Sequence, residues 1–351
     1  MVETVTMYKV TVIGHYGKGF DYNDGQTVKT KSITKQLILN YGEDLVSTID
    51  THGGIKSLIK APMQIHRAMR DSDNVIMLPA HRGVRVYAPI MWLYRKRYKK
   101  CKIFYIVVGG WLPFLLGKNI LLRKCLNCYD GIFVETHTMK TALEGIGFQN
   151  IYTMPNFKDT EPIELTDQKF NVPYRLCTFS RVLQEKGIGD AVDTVNRINK
   201  EKKTTAFLLD IYGPIDSAQK EWFDNLQNSF GKSIQYRGTV PSEHSTAILK
   251  DYFALLFPTH YYTEGIPGTI VDSYAAGVPV ICSKWESYSD VVDDQITGIG
   301  YEFDDVDGLY HVLSKVYETP EIVESMRITC QNRYLRIYSP KAIESLLCLL
   351  R

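Results

Sequence analysis

Two carboxylates flank a glycine-containing loop in the stretch from Phe257 to Cys282. Glu264 stands before the loop, and Asp272 follows eight positions later. We predict a helix from about Thr269 to Ala276, with Thr269 as its cap and Asp272 on its first turn. Glycines let the loop backbone approach a ligand closely, and a helix N-terminus offers unpaired N–H groups to hydroxyl or phosphate oxygens. Two acids placed in this way could bind two hydroxyl groups of one elongated ligand.

This spacing resembles the carboxylate signature of retaining GT-B glycosyltransferases, family 4 in particular: a glutamate, seven residues and a second glutamate. The run Glu264-Gly265-Ile266-Pro267 and residues 275–281 (AAGVPVI) fit the same pattern, although Asp272 stands where the family has glutamate. The resemblance implies that Glu264 binds hydroxyls of a donor sugar and Asp272 those of a ribose. It also implies backbone contacts to the donor from Gly265, Ile266, Gly268 and Thr269. The alternative is an ordinary strand–loop–helix with a solvated glutamate.

Two cations flank a predicted strand-to-helix turn further upstream. Arg181 and Lys186 both lie in the run 180–187, SRVLQEKG. Two such cations could clamp a diphosphate. Members of the resembled family carry Arg and Lys at these positions for that purpose, which would stabilise negative charge on the leaving diphosphate. With Glu264 they form the predicted catalytic set, and a solvated surface pair is the alternative.

Further donor contacts are implied by glycine-containing turns. Gly213 follows a predicted strand at 206–212, and Gly238 and Val240 follow another at 234–236. Both turns match family regions that enclose the nucleotide base. Gly25 is the best match to the first loop of the family, which faces the donor diphosphate, and a plain turn explains it equally well.

Candidate acceptor or sugar contacts follow strands of the first half. His81 and Arg82 come after a strand predicted at 75–78, and polar residues beyond strand ends point into the crevice of a doubly wound sheet. Trp111 follows the strand 103–108 and could stack on a sugar or lie against lipid. His137 precedes a predicted helix. For His81, a turn histidine with satisfied hydrogen bonds is the alternative.

These segments alternate strands and helices, as parallel sheets require. The resemblance implies an α/β protein of GT-B fold, with two Rossmann-like doubly wound domains facing across a cleft. We expect residues 1–157 to form an acceptor-binding domain, with a C-terminal helix at 339–351 packing back on it. Residues 172–330 would bind the nucleotide sugar, and the polar segment 156–172 would be the linker.

Composition agrees with a two-domain globular protein: 351 residues, 44% hydrophobic and 23% charged. The seven cysteines are scattered, and the lone pair Cys125 and Cys128 has no second pair at zinc spacing. We therefore expect no metal, no other cofactor, and reduced thiols in a cytosolic protein. The N-terminus does not resemble a signal peptide, and the apolar run 103–117 is too short to span a bilayer.

Charge is divided unevenly along the chain. Residues 1–155 contain 21 Lys and Arg against 11 Asp and Glu, and the remainder contains 20 against 28. A basic cluster, Arg95 to Lys102, lies between Trp92 and Trp111. Cations beside aromatic residues suit an anionic membrane surface and a lipid-diphosphate-linked acceptor. The alternative is a solvated basic helix end over an ordinary core strand.

The resemblance implies a retaining transferase that moves a hexose from a nucleotide-diphosphate sugar to a saccharide or lipid-linked acceptor. Residues 108–113, 133–136 and 155–157 resemble enzymes of bacterial surface polysaccharide and capsule synthesis, which places it in the cytoplasm, peripheral at the inner face of the membrane. A nucleotide-sugar epimerase of the same fold is the first alternative. A non-enzymatic nucleic-acid-binding protein is disfavoured, because the basic run interleaves one aromatic, Tyr98, and no recognition motif appears.

Overall fold

The computed structural model describes residues 7–17, 25–53, 55–165 and 169–350. The N-terminal residues 1–6 and most of the predicted first loop, residues 18–24, lie outside this part of the chain. The chain divides into two compact units. Unit 1 comprises Met1–Phe157 and Pro340–Arg351, and unit 2 comprises Lys158–Ser339.

Unit 1 contains a parallel sheet of six strands in the order β2-β1-β3-β4-β5-β6. In the central strand Lys102–Ile106, alternate side chains pack into hydrophobic cores on opposite faces of the sheet. Ile103 and Tyr105 lie in one core, and Phe104 and Ile106 lie in the other. A strand buried on both faces must be apolar throughout, which explains the continuous apolar runs. The strands are β1 (Tyr8–Gly14), β2 (Val46–Asp50), β3 (Ser72–Met77), β4 (Lys102–Ile106), β5 (Gly131–Val134) and β6 (Ile151–Thr153).

Helices connect these strands: α1 (Gly25–Tyr41), α2 (Ile55–Asp71), α3 (His81–Arg95), α4 (Leu112–Gly117), α5 (Ile120–Leu126) and α6 (His137–Gly145). The sequence pattern predicts this third helix from Val86 to Leu93, but α3 begins five residues earlier, at His81. The buried spacing of Val84, Tyr87, Ala88 and Met91 carries the helical period back to that point. His81 and Arg82 therefore lie on a first helical turn rather than in a loop.

Unit 2 contains a second parallel sheet, in the order β12-β11-β10-β7-β8-β9. Taken in chain order, this is the 3-2-1-4-5-6 arrangement of the Rossmann fold. Its topological switch point, where successive connections leave in opposite directions, lies between the neighbouring strands β7 and β10. The strands are β7 (Tyr174–Phe179), β8 (Phe207–Tyr212), β9 (Ile234–Gly238), β10 (Ala254–Phe257), β11 (Val280–Ser283) and β12 (Gly298–Tyr301).

The helices of unit 2 are α7 (Ile188–Lys202), α8 (Lys220–Gln227), α9 (Ser245–Leu249), α10 (Gly268–Ala275), α11 (Tyr288–Val291), α12 (Gly308–Glu318), α13 (Glu321–Glu324) and α14 (Arg327–Arg333). The helix α10 corrects the sequence prediction in two respects. It starts at Gly268, after Pro267, so Thr269 lies inside the helix and does not cap it. Asp272 consequently lies on the second turn of the helix rather than on the first.

The C-terminal segment of unit 1 differs from the single helix predicted at 339–351. A 3₁₀ turn (Pro340–Ile343) leads into α15 (Glu344–Leu350). Leu346 and Leu350 are buried in the core that also contains Ile33 and Leu37 of α1. Apolar contact with α1 therefore holds this segment in unit 1.

Candidate active site

The loops that follow β7 and β10 touch at the switch point of unit 2. Gly187 adopts φ +68°, and a Cβ there would lie 1.8 Å from the carbonyl oxygen of Pro258. The backbone N–H of His260 donates to the Glu185 oxygen at 2.8 Å. Only glycine permits so close an approach of two backbones. This contact brings together side chains that are far apart in the sequence.

Lys186 and Glu264 form an ion pair where these loops meet, between the lysine Nζ and the glutamate Oε1. The hydroxyl of Thr259 donates to the same Oε1 at 3.2 Å. The ammonium also lies 5.0 Å from the ring centre of Tyr261 and 5.3 Å from that of Phe257, within cation–π range. A predicted diphosphate-binding cation and a predicted sugar-binding carboxylate are thus held side by side.

Arg181, the third predicted catalytic residue, lies on the loop after β7 with 60% of its side chain exposed. Its guanidinium is 3.9 Å from the Asp216 carboxylate. Exposed pairs at such a distance are weak. The guanidinium can therefore exchange this partner for a diphosphate oxygen at little cost.

Gly213 and Gly238 meet through a backbone hydrogen bond of 2.9 Å from the Gly213 N–H to the Gly238 oxygen. Gly213, with φ +130°, leaves no room for a Cβ, which would lie 1.8 Å from the Ser180 oxygen. At Gly238, with φ +79°, no heavy atom of the described residues outside its chain neighbours lies within 4 Å of the ideal Cβ position. Val240 is half-buried against the unit 2 core. The turns after β7, β8 and β9 are therefore adjacent.

Asp272 is buried, with 5% of its side chain exposed. Its Oδ2 binds the ammonium of Lys158 and accepts a hydrogen bond of 2.7 Å from the Ser245 hydroxyl. Its Oδ1 has no hydrogen-bond partner among the described residues, and the same holds for the Thr269 hydroxyl oxygen. Burial raises the pKa of Asp272, and the charge of Lys158 opposes this rise. An unpaired buried acceptor costs about 1–3 kcal/mol.

The acceptor candidates lie in unit 1. The rings of His81 and Trp111 meet edge to face at 5.3 Å between ring centres. His81 Nε2 also lies 3.3 Å from the Arg85 guanidinium, and the Trp111 indole donates to the Val108 oxygen at 2.8 Å. Two candidates are thus brought together. This pair does not include the remaining two acceptor candidates, Arg82 on α3 and His137 on α6, which are exposed at the starts of their helices. The predicted donor contact Gly25 is exposed at the start of α1.

A histidine pair at the ends of β1 and β2 was not predicted from the sequence. His15 Nε2 lies 3.2 Å from His52 Nδ1, and its other ring nitrogen lies 2.7 Å from the Thr27 hydroxyl. Both histidines follow strands. Their position after strand ends, which they share with His81, was therefore a signal in the sequence.

A buried ion pair, Lys29 with Glu135, was also missed. The two charged groups are 2.5 Å apart, each side chain is 2% exposed, and the ammonium also donates to the Val107 oxygen at 3.1 Å. Lys29 stands one turn before Ile33 on the apolar stripe of α1, so its position could have indicated burial. Nothing local pointed to Lys158 as the partner of Asp272.

Within the described ranges, no group of three His, Cys, Asp or Glu side chains is placed to hold a metal ion. Burial raises the pKa of the Cys128 thiol to about 11, so the Cys125–Cys128 pair carries protonated thiols at neutral pH. No helix in the described part of the chain is both long and apolar enough to cross a membrane.

Solved structures share this arrangement over nearly the whole chain. Sucrose-phosphate synthase from Thermosynechococcus elongatus aligns with a TM-score of 0.76 at 13% identity, covering 97% of each chain. HepE of Anabaena, in complex with UDP and glucose, aligns with a TM-score of 0.72 at 11% identity, covering 97% of this chain and 98% of that one. The chain has the GT-B fold of glycosyltransferases. The predicted fold class, two doubly wound α/β units, is confirmed.

The match to a described sequence family lies within unit 2 of this GT-B chain. Residues 173–319 match the family described as glycosyl transferases group 1. The 2-deoxystreptamine N-acetyl-D-glucosaminyltransferase of Niallia circulans is 23% identical over 228 residues, or 64% of this chain. The chain spans 56% of that relative's length. The family match thus includes every predicted catalytic residue.

Proposed function

We propose that this GT-B protein is a retaining glycosyltransferase of family 4 that transfers a hexose from a nucleotide-diphosphate sugar. The observation that carries the proposal is the contact between Lys186 and Glu264 at the switch point of unit 2. Ligands of doubly wound sheets bind at this point. HepE, which shares the fold, was solved with UDP and glucose.

In this proposal Lys186 and Arg181 bind the diphosphate and stabilise the charge that grows as the sugar leaves. Glu264 binds sugar hydroxyls and Asp272 ribose hydroxyls. The leaving phosphate takes the proton of the acceptor hydroxyl. The turns after β8 and β9 and the loop leading into α10 contribute the remaining donor contacts of unit 2: Gly213, Gly238, Val240, Gly265, Ile266, Gly268 and Thr269. Gly25 of unit 1 stays a predicted donor contact. Retention of configuration is inferred from the family resemblance. The nucleotide sugar is a substrate rather than a cofactor, and the side-chain cations bind its diphosphate in place of a metal ion.

Unit 1 would bind the acceptor, a saccharide or a lipid-diphosphate-linked sugar, with His81 and Trp111 as contacts and Arg82 and His137 as further candidates. We place this reaction in surface polysaccharide synthesis, with the protein in the cytoplasm and peripheral at the inner membrane face. Exposed cations and apolar side chains of unit 1 support a membrane contact. They are Leu93, Lys96, Arg97, Lys99, Lys100 and Phe114.

The test is a screen of the full chain against UDP, GDP and ADP sugars, with hydrolysis and transfer both measured. We expect turnover with one donor class, unchanged by chelator. Lys186→Ala should reduce turnover by about two to three orders of magnitude, and Glu264→Gln should nearly abolish it. Lys220→Ala is the matched control, since Lys220 also pairs with a carboxylate, Asp224, but on the surface.

Three results would contradict the proposal. The first is the absence of turnover with every donor, and the second is a metal requirement. The third is an epimeric nucleotide sugar formed without an acceptor, which would identify an epimerase instead.

A further inference from the structure

The backbone of Lys158 is held in place by hydrogen bonds that do not involve its side chain. Its N–H donates to the Tyr338 oxygen at 3.1 Å, and its carbonyl accepts from the Tyr334 hydroxyl at 2.9 Å. The following segment is held too, since the Ile163 N–H donates to the Ala275 oxygen at 3.3 Å. This segment, interpreted from sequence as linker, is therefore ordered against unit 2, and it directs the lysine stem at Asp272.

The two carboxylate oxygens of Asp272 differ in their hydrogen-bond partners. Oδ2 receives the ammonium of Lys158 and the hydroxyl of Ser245, whereas Oδ1 lacks a partner among the described residues. Thr269 stands three positions earlier, on the same face of α10, and its hydroxyl oxygen is also buried and unpaired there. An unpaired carboxylate oxygen and an unpaired hydroxyl on one face of a helix are suited to a ligand that carries hydroxyl groups.

We propose that Lys158 and Ser245 are positioning residues for the nucleoside: they hold Asp272 as a carboxylate whose Oδ1 accepts a ribose hydroxyl of the donor. This inference rests on the proposed function and extends it to a lysine that the motif does not contain. Because Oδ1 is closed to solvent, the ribose reaches it through a local opening, and the unpaired oxygen favours that opening.

Each element packed against Asp272 contributes its own groups. Ser245 comes from α9, and Tyr334 comes from the π-helical turn Tyr334–Tyr338. The two arginines of α14 are engaged elsewhere: Arg327 donates to the Tyr252 and Lys250 oxygens, and Arg333 binds Asp293 and the Asp290 oxygen. Among the described residues, Lys158 is thus the cation in contact with the carboxylate. Burial raises the pKa of Asp272, so loss of Lys158 should raise it further and leave the group protonated.

The experiment measures the Kd of the full chain for UDP, GDP and ADP between about pH 5 and pH 9, the range over which a raised carboxyl pKa is visible. For the nucleotide that binds, Lys158→Met should weaken binding about tenfold near neutral pH, and binding should recover as pH rises and the carboxyl ionises. Lys158→Arg should stay close to wild type. In an Asp272→Asn background, Lys158→Met should add nothing, because it acts through the carboxylate.

Ser245→Ala is the second variant, and its smaller shift in the same direction tests the network if Lys158→Met does not fold. Lys220→Met, which removes a surface lysine paired with Asp224, is the control and should leave the Kd unchanged. If both Lys158→Met and Ser245→Ala fold and bind like wild type at every pH, this inference is wrong while the proposed function stands. If the wild-type chain binds none of the three nucleotides, the proposed function fails and the inference fails with it.

Discussion

At the residue scale, the charged side chains at the switch point of unit 2 are paired with side chains of opposite charge. Lys186 and Glu264 are each only about 15% exposed, and each is the charged partner of the other. In the proposed reaction a diphosphate oxygen replaces Glu264 as the partner of the Lys186 ammonium. A sugar hydroxyl replaces Lys186 as the partner of the Glu264 carboxylate. Donor binding then replaces one set of charge-assisted contacts by another without leaving a buried charge unpaired.

Arg181 provides the sharpest kinetic prediction at this scale. Arg181→Ala should lower kcat by about two to three orders of magnitude, because transition-state charge on the diphosphate loses a partner. Stability should hardly change, since the pair with Asp216 is exposed and long. Steady-state kinetics and urea unfolding measure the two quantities. Arg197→Ala is the control, as Arg197 is also exposed and paired with acids. An Arg181→Ala enzyme with wild-type kcat would remove the arginine from the clamp.

At the scale of elements, the turn between β7 and α7 decides the site geometry. It must pass Pro258 at backbone distance, turn into a helix and leave Lys186 beside Glu264. Gly187 in the left-handed region makes this path possible. Sequence patterns indicated a strand-to-helix turn here but not which glycine controls it.

Gly187→Ala should therefore lower the free energy of unfolding by about 3 kcal/mol and impair donor binding. The added Cβ would meet the Pro258 oxygen at 1.8 Å, and its φ is unfavourable for alanine. Gly189→Ala, two positions on, should instead be neutral or stabilising by up to about 1 kcal/mol. Its Cβ would meet an ordinary contact, Trp222 at 3.9 Å, within a helix. Urea unfolding of both variants measures the two free energies of unfolding. Equal values would contradict the prediction, because the loops after β7 and β10 would then have moved apart to accommodate the added Cβ.

At the scale of the whole molecule, the excess of positive charge and the basic cluster lie in unit 1, where Leu93 and Phe114 are also exposed. The structure divides the basic cluster into two sets. Arg95 binds Asp130 at 2.9 Å and Lys102 donates to the Leu349 oxygen at 2.8 Å, whereas Lys96, Arg97, Lys99 and Lys100 are exposed. Only the second set is available to an anionic surface.

The wild-type chain should co-sediment with anionic vesicles at low salt and dissociate as salt screens the charges. Changing the four exposed cations to Ser should weaken binding by up to about 4 kcal/mol, at about 1 kcal/mol for each cation near the surface. A variant with the same loss of charge in unit 2 should bind like wild type; it replaces Lys200, Lys202, Lys203 and Lys220 by Ser. Failure of the wild-type protein to bind at low salt would favour a soluble acceptor.

The sequence by itself determined the features that depend on local pattern. Apolar runs and helical stripes predicted alternating strands and helices, because burial of a strand or a helix face leaves its period in the chain. The two doubly wound units were implied by the family resemblance. The loop glycines and Glu264 were recognisable for the same reason, since a motif is a local spacing. Errors arose at the starts of two helices. The helix α3 begins at His81, where the buried spacing of its apolar residues already extends, and α10 begins at Gly268 without a capping side chain.

Tertiary structure alone decided which charged groups meet. Lys186 reaches Glu264 because β10 pairs with β7, although 78 positions separate the two side chains. Lys158 reaches Asp272 across 114 positions, and His15 reaches His52 across 37. Local periodicity records whether a side chain is buried but not what it is buried against. Strand order supplies that information, and strand order is set by the packing of the whole sheet.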